Sequence, residues 1–110
     1  MEELKEDKLS EIIIDLDSQD KLNESWMGMF GWWVKAILNR MFGGPSLPVT
    51  IKGTKTQVSS FVDVLSKEKK YMESFTKHGL DNPQTYKWRH NLDSAIRKFE
   101  RDTGIKWPFN

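Results

Sequence analysis

Two histidines, His78 and His90, are the side chains of this sequence best suited to metal or acid–base chemistry, because the chain contains no cysteine. A zinc site would need further nitrogen, oxygen or sulfur ligands beside them, and no H-x-x-x-H spacing places two histidines on one helix face. His90 and Asp93 are three residues apart, which on a helix is the ordinary spacing of a surface hydrogen bond. We therefore expect no metal site, no cofactor and no catalytic residue.

The common sequence motifs of phosphate binding and nucleophilic catalysis are missing as well. Gly43 and Gly44 lead into Pro45 instead of into a strand, a loop and a helix with a lysine. The sequence predicts a protein that is not an enzyme and that has no small-molecule substrate.

Charge is distributed unevenly along the 110 residues. Residues 1–25 carry nine acidic and three basic side chains, a net charge of −6, whereas residues 26–110 carry seven acidic and fourteen basic ones, a net charge of +7. The first residues lack the basic and apolar regions of a secretory signal, and a chain without cysteine fits a reducing compartment. We expect a protein that is not secreted.

The basic side chains of the second half are candidates for electrostatic contact with a partner. Acidic residues are interleaved with them, which is the pattern of a solvated helix surface, whereas nucleic-acid binders usually show a stripe of one sign. We favour the solvated surface over nucleic-acid binding. The four candidate contact residues are Lys69, Lys70, Arg97 and Arg101.

The stretch "WMGMFGWWVKAILNRMFGG", residues 26–44, holds three of the five tryptophans and three of the five methionines with only two charges. On a helix, its glycines, Lys35 and Asn39 form a narrow stripe, and apolar side chains cover most of the remaining circumference. We expect Trp26, Phe30 and Trp33 to face the body of the protein. The candidate interaction face comprises Trp26, Met29, Phe30, Trp32, Trp33, Ile37, Met41 and Phe42.

Three interpretations of this apolar helix stay open: an intramolecular core, a docking or self-assembly surface, and a membrane-surface helix. The apolar excess favours an interaction site, because two further helices cannot cover every side. We place that excess at Trp32, Val34, Ala36, Leu38 and Phe42. A membrane span is disfavoured, since the run is short and Lys35 lies near its middle.

The remaining pattern predicts a helical hairpin. Residues 49–52 resemble a short strand, a first helix begins near Thr56 and ends at Gly79, and a second begins after Asn82 and ends at Gly104. We expect the two inner stripes to consist of Val58, Phe61, Val62, Leu65, Met72 and Phe75, and of Trp88, Leu92, Ala95, Ile96 and Phe99.

Three zones follow. Residues 1–25 form an acidic, partly ordered arm, with a short helix over "EIIIDL" capped by Ser10; residues 26–44 form the aromatic-rich apolar helix; residues 48–110 form a strand and hairpin module with a docked tail. We expect the module to fold without the first 44 residues, and the tail to pair with residues 49–51. The fold class is mainly α, with an amphipathic aromatic-rich helix, an antiparallel helical hairpin and at most a small two-stranded β element.

The motifs "GTKTQV", "GLDNPQTY" and "FERDTGIKWPF" resemble the C-terminal module of prohead core proteins, small head-assembly proteins of large contractile-tailed phages. The resemblance covers about sixty of the 110 residues, and the residues before Pro45 lie outside it. It implies a structural or scaffolding role in the capsid, a location in the virion or host cytoplasm, and capsid or core subunits as partners. It implies no catalytic residues.

The expected function is therefore that of a non-enzymatic phage head component acting through protein–protein contacts and self-association. The acidic arm of one copy could pair with the basic body of another in a salt-sensitive contact. Two alternatives are a small phage or host regulator that inhibits one target protein, and a peripheral membrane protein that uses residues 26–42.

Overall fold

The computed structural model describes residues 11–45 and 47–109, and within these ranges it contains three helices and two strands. The prediction of a mainly α protein is confirmed. In chain order the elements are β1 (Ile12–Asp15), α1 (Glu24–Met41), β2 (Val49–Lys52), α2 (Lys55–His78) and α3 (Pro83–Thr103).

Helices α2 and α3 form the predicted antiparallel hairpin, and local capping signals set their ends. Thr54 and Gln57 form a capping box at the start of α2, in which each side chain accepts a hydrogen bond from the other's backbone N–H. Asn82 caps α3, whose first residue is Pro83. Gly104 ends α3 with a left-handed φ of 75°, a conformation that glycine adopts without steric cost.

Polar contacts fix the two hairpin helices against each other at both ends. Near the turn, the hydroxyl groups of Ser74 and Thr85 are 2.9 Å apart and buried. At the open end, Asp102 of α3 accepts hydrogen bonds from the hydroxyl of Ser60 and from the Lys98 ammonium. The Lys98 and Ser60 bonds hold the pKa of the Asp102 carboxyl at about 2.

Strand β1 corrects the expectation of a helix over "EIIIDL". Ile12 and Ile14 are buried and Ile13 between them is exposed, the alternation of a strand with one covered face. β1 pairs in parallel with β2, with Ile12 opposite Val49 and Ile14 opposite Ile51. The predicted cap at Ser10 lies outside the described residues.

The partner of β2 is therefore β1, and the expectation that the tail pairs with residues 49–51 is wrong. Parallel strands need a long crossover connection, and here α1 lies within it. The tail instead continues from α3 along the hairpin surface.

The hydrophobic core is centred on four aromatic rings from four parts of the chain. Phe30 of α1 stacks on Phe99 of α3 with ring centroids 6.0 Å apart, and Phe61 of α2 lies 5.7 Å from Phe99. Trp107 of the tail meets Phe99 edge-on at 5.5 Å. These offset and edge-on arrangements are the favourable geometries for aromatic pairs.

Specific hydrogen bonds fix the tail to the hairpin. The backbone N–H of Trp107 donates to the Glu100 carboxylate at 2.9 Å, and its indole Nε1–H donates to the Glu68 carboxylate, also at 2.9 Å. Beside it, Pro108 lies so close to α1 that a Cβ on Gly31 would be 3.4 Å from the proline Cβ. Helix α1 and the tail therefore pack directly against each other at this point.

The core extends across the three predicted zones. Ile12, Ile14 and Leu16 come from the acidic arm, and the remainder of the buried core comes from the hairpin and tail and from the apolar helix, which contributes Phe30, Val34, Ile37 and Leu38. The division into zones stays a prediction, but the described hydrophobic core is continuous.

Candidate interaction surface

The eight residues of the predicted interaction face lie on two sides of α1. Five are buried or partly buried against the core: Trp26, Phe30, Trp33, Ile37 and Met41. Three are exposed: Met29, Trp32 and Phe42. The inner group belongs to the fold, and only the outer group is accessible to a partner.

The inner tryptophans, Trp26 and Trp33, contact each other on the α1 face that packs against the core. Trp26 stacks on Phe30 with ring centroids 5.3 Å apart and meets Trp33 edge-on at 6.1 Å. Trp32 lies outside, with 47% of its surface exposed. Adjacent helical residues point about 100° apart, so the two neighbouring tryptophans have different environments.

Two residues that we assigned to the apolar excess are in fact core residues. Val34 is fully buried and Leu38 nearly so, because the buried face of α1 is wide enough to contact the hairpin and the tail together. Ala36 is partly buried. The exposed apolar area of α1 is therefore smaller than the sequence predicted.

The inner stripe of α2 shows the opposite error near the hairpin turn. Phe61 and Leu65 are buried as expected, but Met72 and Phe75, toward the turn, are exposed. Val62 is exposed for another reason: it follows the buried Phe61 near the start of α2 and so points about 100° away from it. Helix α2 has 24 residues and α1 has 18, so the stripe of α2 continues past the end of α1. The mismatch in helix length is a signal that sequence analysis could have used.

A groove of about 340 Å³ lies where α1, α2 and the tail meet. We name it the α1–α2 groove. Its position explains why Met72 and Phe42, although apolar, keep a large exposed area. The lining residues are Lys35, Leu38 and Asn39 of α1, its C-cap residue Phe42, Glu68 and Met72 of α2, and Phe109 of the tail.

The α1–α2 groove has one buried carboxylate. Glu68 is 6% exposed and accepts the indole hydrogen bond of Trp107. Burial raises the pKa of the Glu68 carboxyl, against the lowering effects of the Trp107 hydrogen bond and the positive charge of Arg89. Because the carboxylate accepts the hydrogen bond that fixes the tail, we assign Glu68 a structural role and no catalytic one.

Cations lie at the rim of the groove. The Lys69 ammonium is 5.4 Å from the centre of the Phe42 ring and 2.7 Å from the Glu73 carboxylate. Lys35 is exposed and, among the described residues, has no carboxylate within ion-pair distance. The rim therefore has positive charge available to an acidic partner.

The four predicted electrostatic residues do not form one patch. Lys70 lies 5.8 Å from the Trp88 ring, near the hairpin turn. Arg101 lies 3.5 Å from Asp102, which contacts Ser60 at the other end of the hairpin. On α2, Lys70 and Ser60 are ten residues apart, which is roughly 15 Å along the helix axis. Lys69 is paired with Glu73, and Arg97 is exposed and contacts Ser94.

The comparisons with known proteins give no match. No family model, no curated protein and no solved structure is significantly similar to this chain.

Two further findings concern the chemistry of the described residues. None of the helices in residues 11–45 and 47–109 is long and apolar enough to cross a bilayer. The same part of the chain has no cluster of three or more histidine or acidic side chains that could hold a metal ion. His78 and His90 are both exposed.

Proposed function

We propose that this chain is a non-enzymatic assembly protein that acts through protein–protein contacts, as a capsid or prohead core component of a phage head in the virion or host cytoplasm. The observation that carries the protein-contact part is the apolar α1–α2 groove. Contiguous exposed apolar surface commonly marks interaction sites. Phe42 and Met72 of the groove lining are exposed, and so is Trp32, which precedes the lining residue Lys35 by about one turn of α1.

The aromatic content of this surface supports a protein partner. Tryptophan, phenylalanine and methionine are enriched at the centres of protein interfaces, and tryptophan is a frequent hot spot. The phage part of the proposal rests on the resemblance of residues 51–109 to prohead core modules.

The test is to isolate the tagged protein from its native source and identify what accompanies it. We expect capsid or core precursors in stoichiometric amounts, and we expect Trp32→Ala to reduce their recovery at least tenfold. Tyr86→Ala is the matched control, because Tyr86 is an exposed aromatic residue on α3, away from the α1–α2 groove.

Other outcomes would support the alternatives. Recovery of one host protein at a fixed ratio would favour the inhibitor. Flotation with liposomes, stronger on anionic lipid through Lys35 and Arg40, would favour the peripheral membrane protein. Either result, without capsid precursors, would contradict the assembly role.

A further inference from the structure

We infer that copies of this chain associate head to tail, with the loop between β1 and α1 of one copy docked in the α1–α2 groove of the next. The inference deepens the proposed assembly function and rests on it. The occupant of the α1–α2 groove is a second copy of the same chain, and the residue that enters the groove is the exposed Leu22.

Leu22 is the most exposed large apolar side chain of the described residues, at 73%. It lies in the turn after Leu16, which is buried, and just before Asn23, the N-cap of α1. The turn is fixed by backbone hydrogen bonds, among them Asn23 N–H to the Asp20 carbonyl at 2.8 Å. An exposed leucine on a hydrogen-bonded turn can bind a partner with little further loss of conformational entropy.

The charges around Leu22 complement those at the rim of the groove. Asp20 and Glu24 lie two residues before and two residues after Leu22 and are exposed, and neither has a cation within ion-pair distance among the described residues. The basic neighbour Lys21 has its ammonium 3.7 Å from the Asp17 carboxylate. The groove offers mainly apolar walls and Lys35, which has no carboxylate within ion-pair distance in the part of the chain that the structure describes. An acidic loop with an apolar centre therefore meets an apolar groove with a positive rim, which is the complementarity that fixes partner and orientation.

The loop cannot fill the groove of its own chain. Leu22 precedes the first turn of α1, whereas the groove is formed by the last two turns. The 18 residues of α1 span about 27 Å at 1.5 Å per residue. The two complementary surfaces therefore lie at opposite ends of one rigid helix, and only another molecule can bring them together.

This arrangement has consequences for symmetry and strength. A contact between two different surfaces of the same chain is heterologous, so it continues into a ring or an open filament. We expect one loop in one groove to bury less than the roughly 800 Å² per partner of a standard stable interface. Each contact is therefore weak, and association requires high protein concentration or many copies at one place.

The experiment uses sedimentation velocity on the purified full chain over a wide concentration range. We expect the wild-type protein to form dimers and larger species as concentration rises. Raising NaCl to about 0.5 M, where the screening length is only a few ångströms, should weaken association. A wild-type protein that stays monomeric at its solubility limit would overturn the inference.

Two variants separate the two halves of the contact. Leu22→Asp removes the apolar centre of the loop and leaves the groove intact. Met72→Glu puts a negative charge in the groove and leaves the loop intact. We expect each variant alone to be monomeric and folded by circular dichroism, and an equimolar mixture to form a heterodimer and nothing larger, because only one intact loop and one intact groove can meet.

Matched controls exist on the same molecule. Leu80→Asp alters another exposed loop leucine, and Val62→Glu alters another exposed apolar residue of α2; both should associate like the wild type. If Leu22→Asp also associates like the wild type, the interface is groove to groove or lies elsewhere, and the inference is wrong. Either result concerns the purified chain alone, so the proposed function stands or falls separately by co-purification.

Discussion

Trp32 and Trp33 are neighbours in sequence, but their side chains have different environments. Trp33 packs against Trp26 and the core, whereas Trp32 is half exposed. We expect Trp33→Ala to lower the free energy of unfolding by about 2–4 kcal/mol, somewhat less than a fully buried aromatic residue. Trp32→Ala should cost less than about 1 kcal/mol. Urea denaturation measures both values, and equal costs would show that the outer face is also core.

Glu68 gives a second prediction at the residue scale, through the dependence of stability on pH. Its pKa is raised in the folded protein from the ordinary 4.5, so the folded state holds the proton more tightly than the unfolded chain. The free energy of unfolding therefore falls as pH rises from the ordinary pKa to the raised one. Glu68→Gln keeps an oxygen that accepts the Trp107 hydrogen bond and should remove this loss.

The measurement is thermal unfolding of the wild type and Glu68→Gln between pH 4 and pH 8. We expect the variant to be the more stable at neutral pH, and the difference to shrink on acidification. Glu73→Gln is the control with the opposite sign, because the Lys69 hydrogen bond lowers the pKa of the exposed Glu73 carboxyl. Parallel pH profiles for wild type and Glu68→Gln would contradict the assignment.

At the scale of elements, β1 provides a comparison within a single strand. Ile14 is fully buried and Ile13 is 44% exposed. Both lose the same β-branched side chain when changed to alanine, so the difference between the variants reports burial alone. We expect Ile14→Ala to cost about 2–5 kcal/mol and Ile13→Ala less than about 1 kcal/mol. Similar costs for both would be evidence against the strand register.

The elements that the sequence predicted well are those with local signals. Asn82 and Pro83 mark the start of α3, and Gly79 and Gly104 mark helix ends. Capping residues form hydrogen bonds with backbone groups only a few residues away. Helix ends can therefore be predicted from the local sequence without knowing any distant contact. The antiparallel hairpin follows from two such helices with a short link.

The elements that the sequence did not predict depend on distant contacts. Three isoleucines in a row have neither helical nor strand periodicity, and the pairing of β1 with β2 across α1 decides their conformation. The groove has the same origin, because Met72 and Phe75 follow the apolar stripe of α2 and only the end of α1 leaves them uncovered. Leu22 carried no signal of its own in the sequence.

At the scale of the whole molecule, the shared core leads to a prediction opposite to the one made from the sequence, namely that residues 48–110 do not fold alone. Removing residues 1–44 would take away Phe30, which stacks on Phe99, and the buried Ile14, Leu16 and Val34. We expect the shortened chain to keep helical circular dichroism but to lose a cooperative thermal transition. A variant lacking only residues 1–10 keeps the whole described core and should unfold cooperatively.

The parallel pairing of β1 with β2 also has a consequence for the order of folding. The two helices of the hairpin are joined by a short link, so their contacts are close in sequence. β1 and β2 are separated in the chain by α1, and contacts distant in sequence form more slowly. We expect Leu92→Ala, within the hairpin, to slow folding, and Ile14→Ala mainly to speed unfolding. Stopped-flow kinetics would show this. The loop that carries Leu22 lies directly after β1, so we expect it to take its final position only when β1 pairs with β2. This would delay the proposed docking of the loop until the copy that carries it has finished folding.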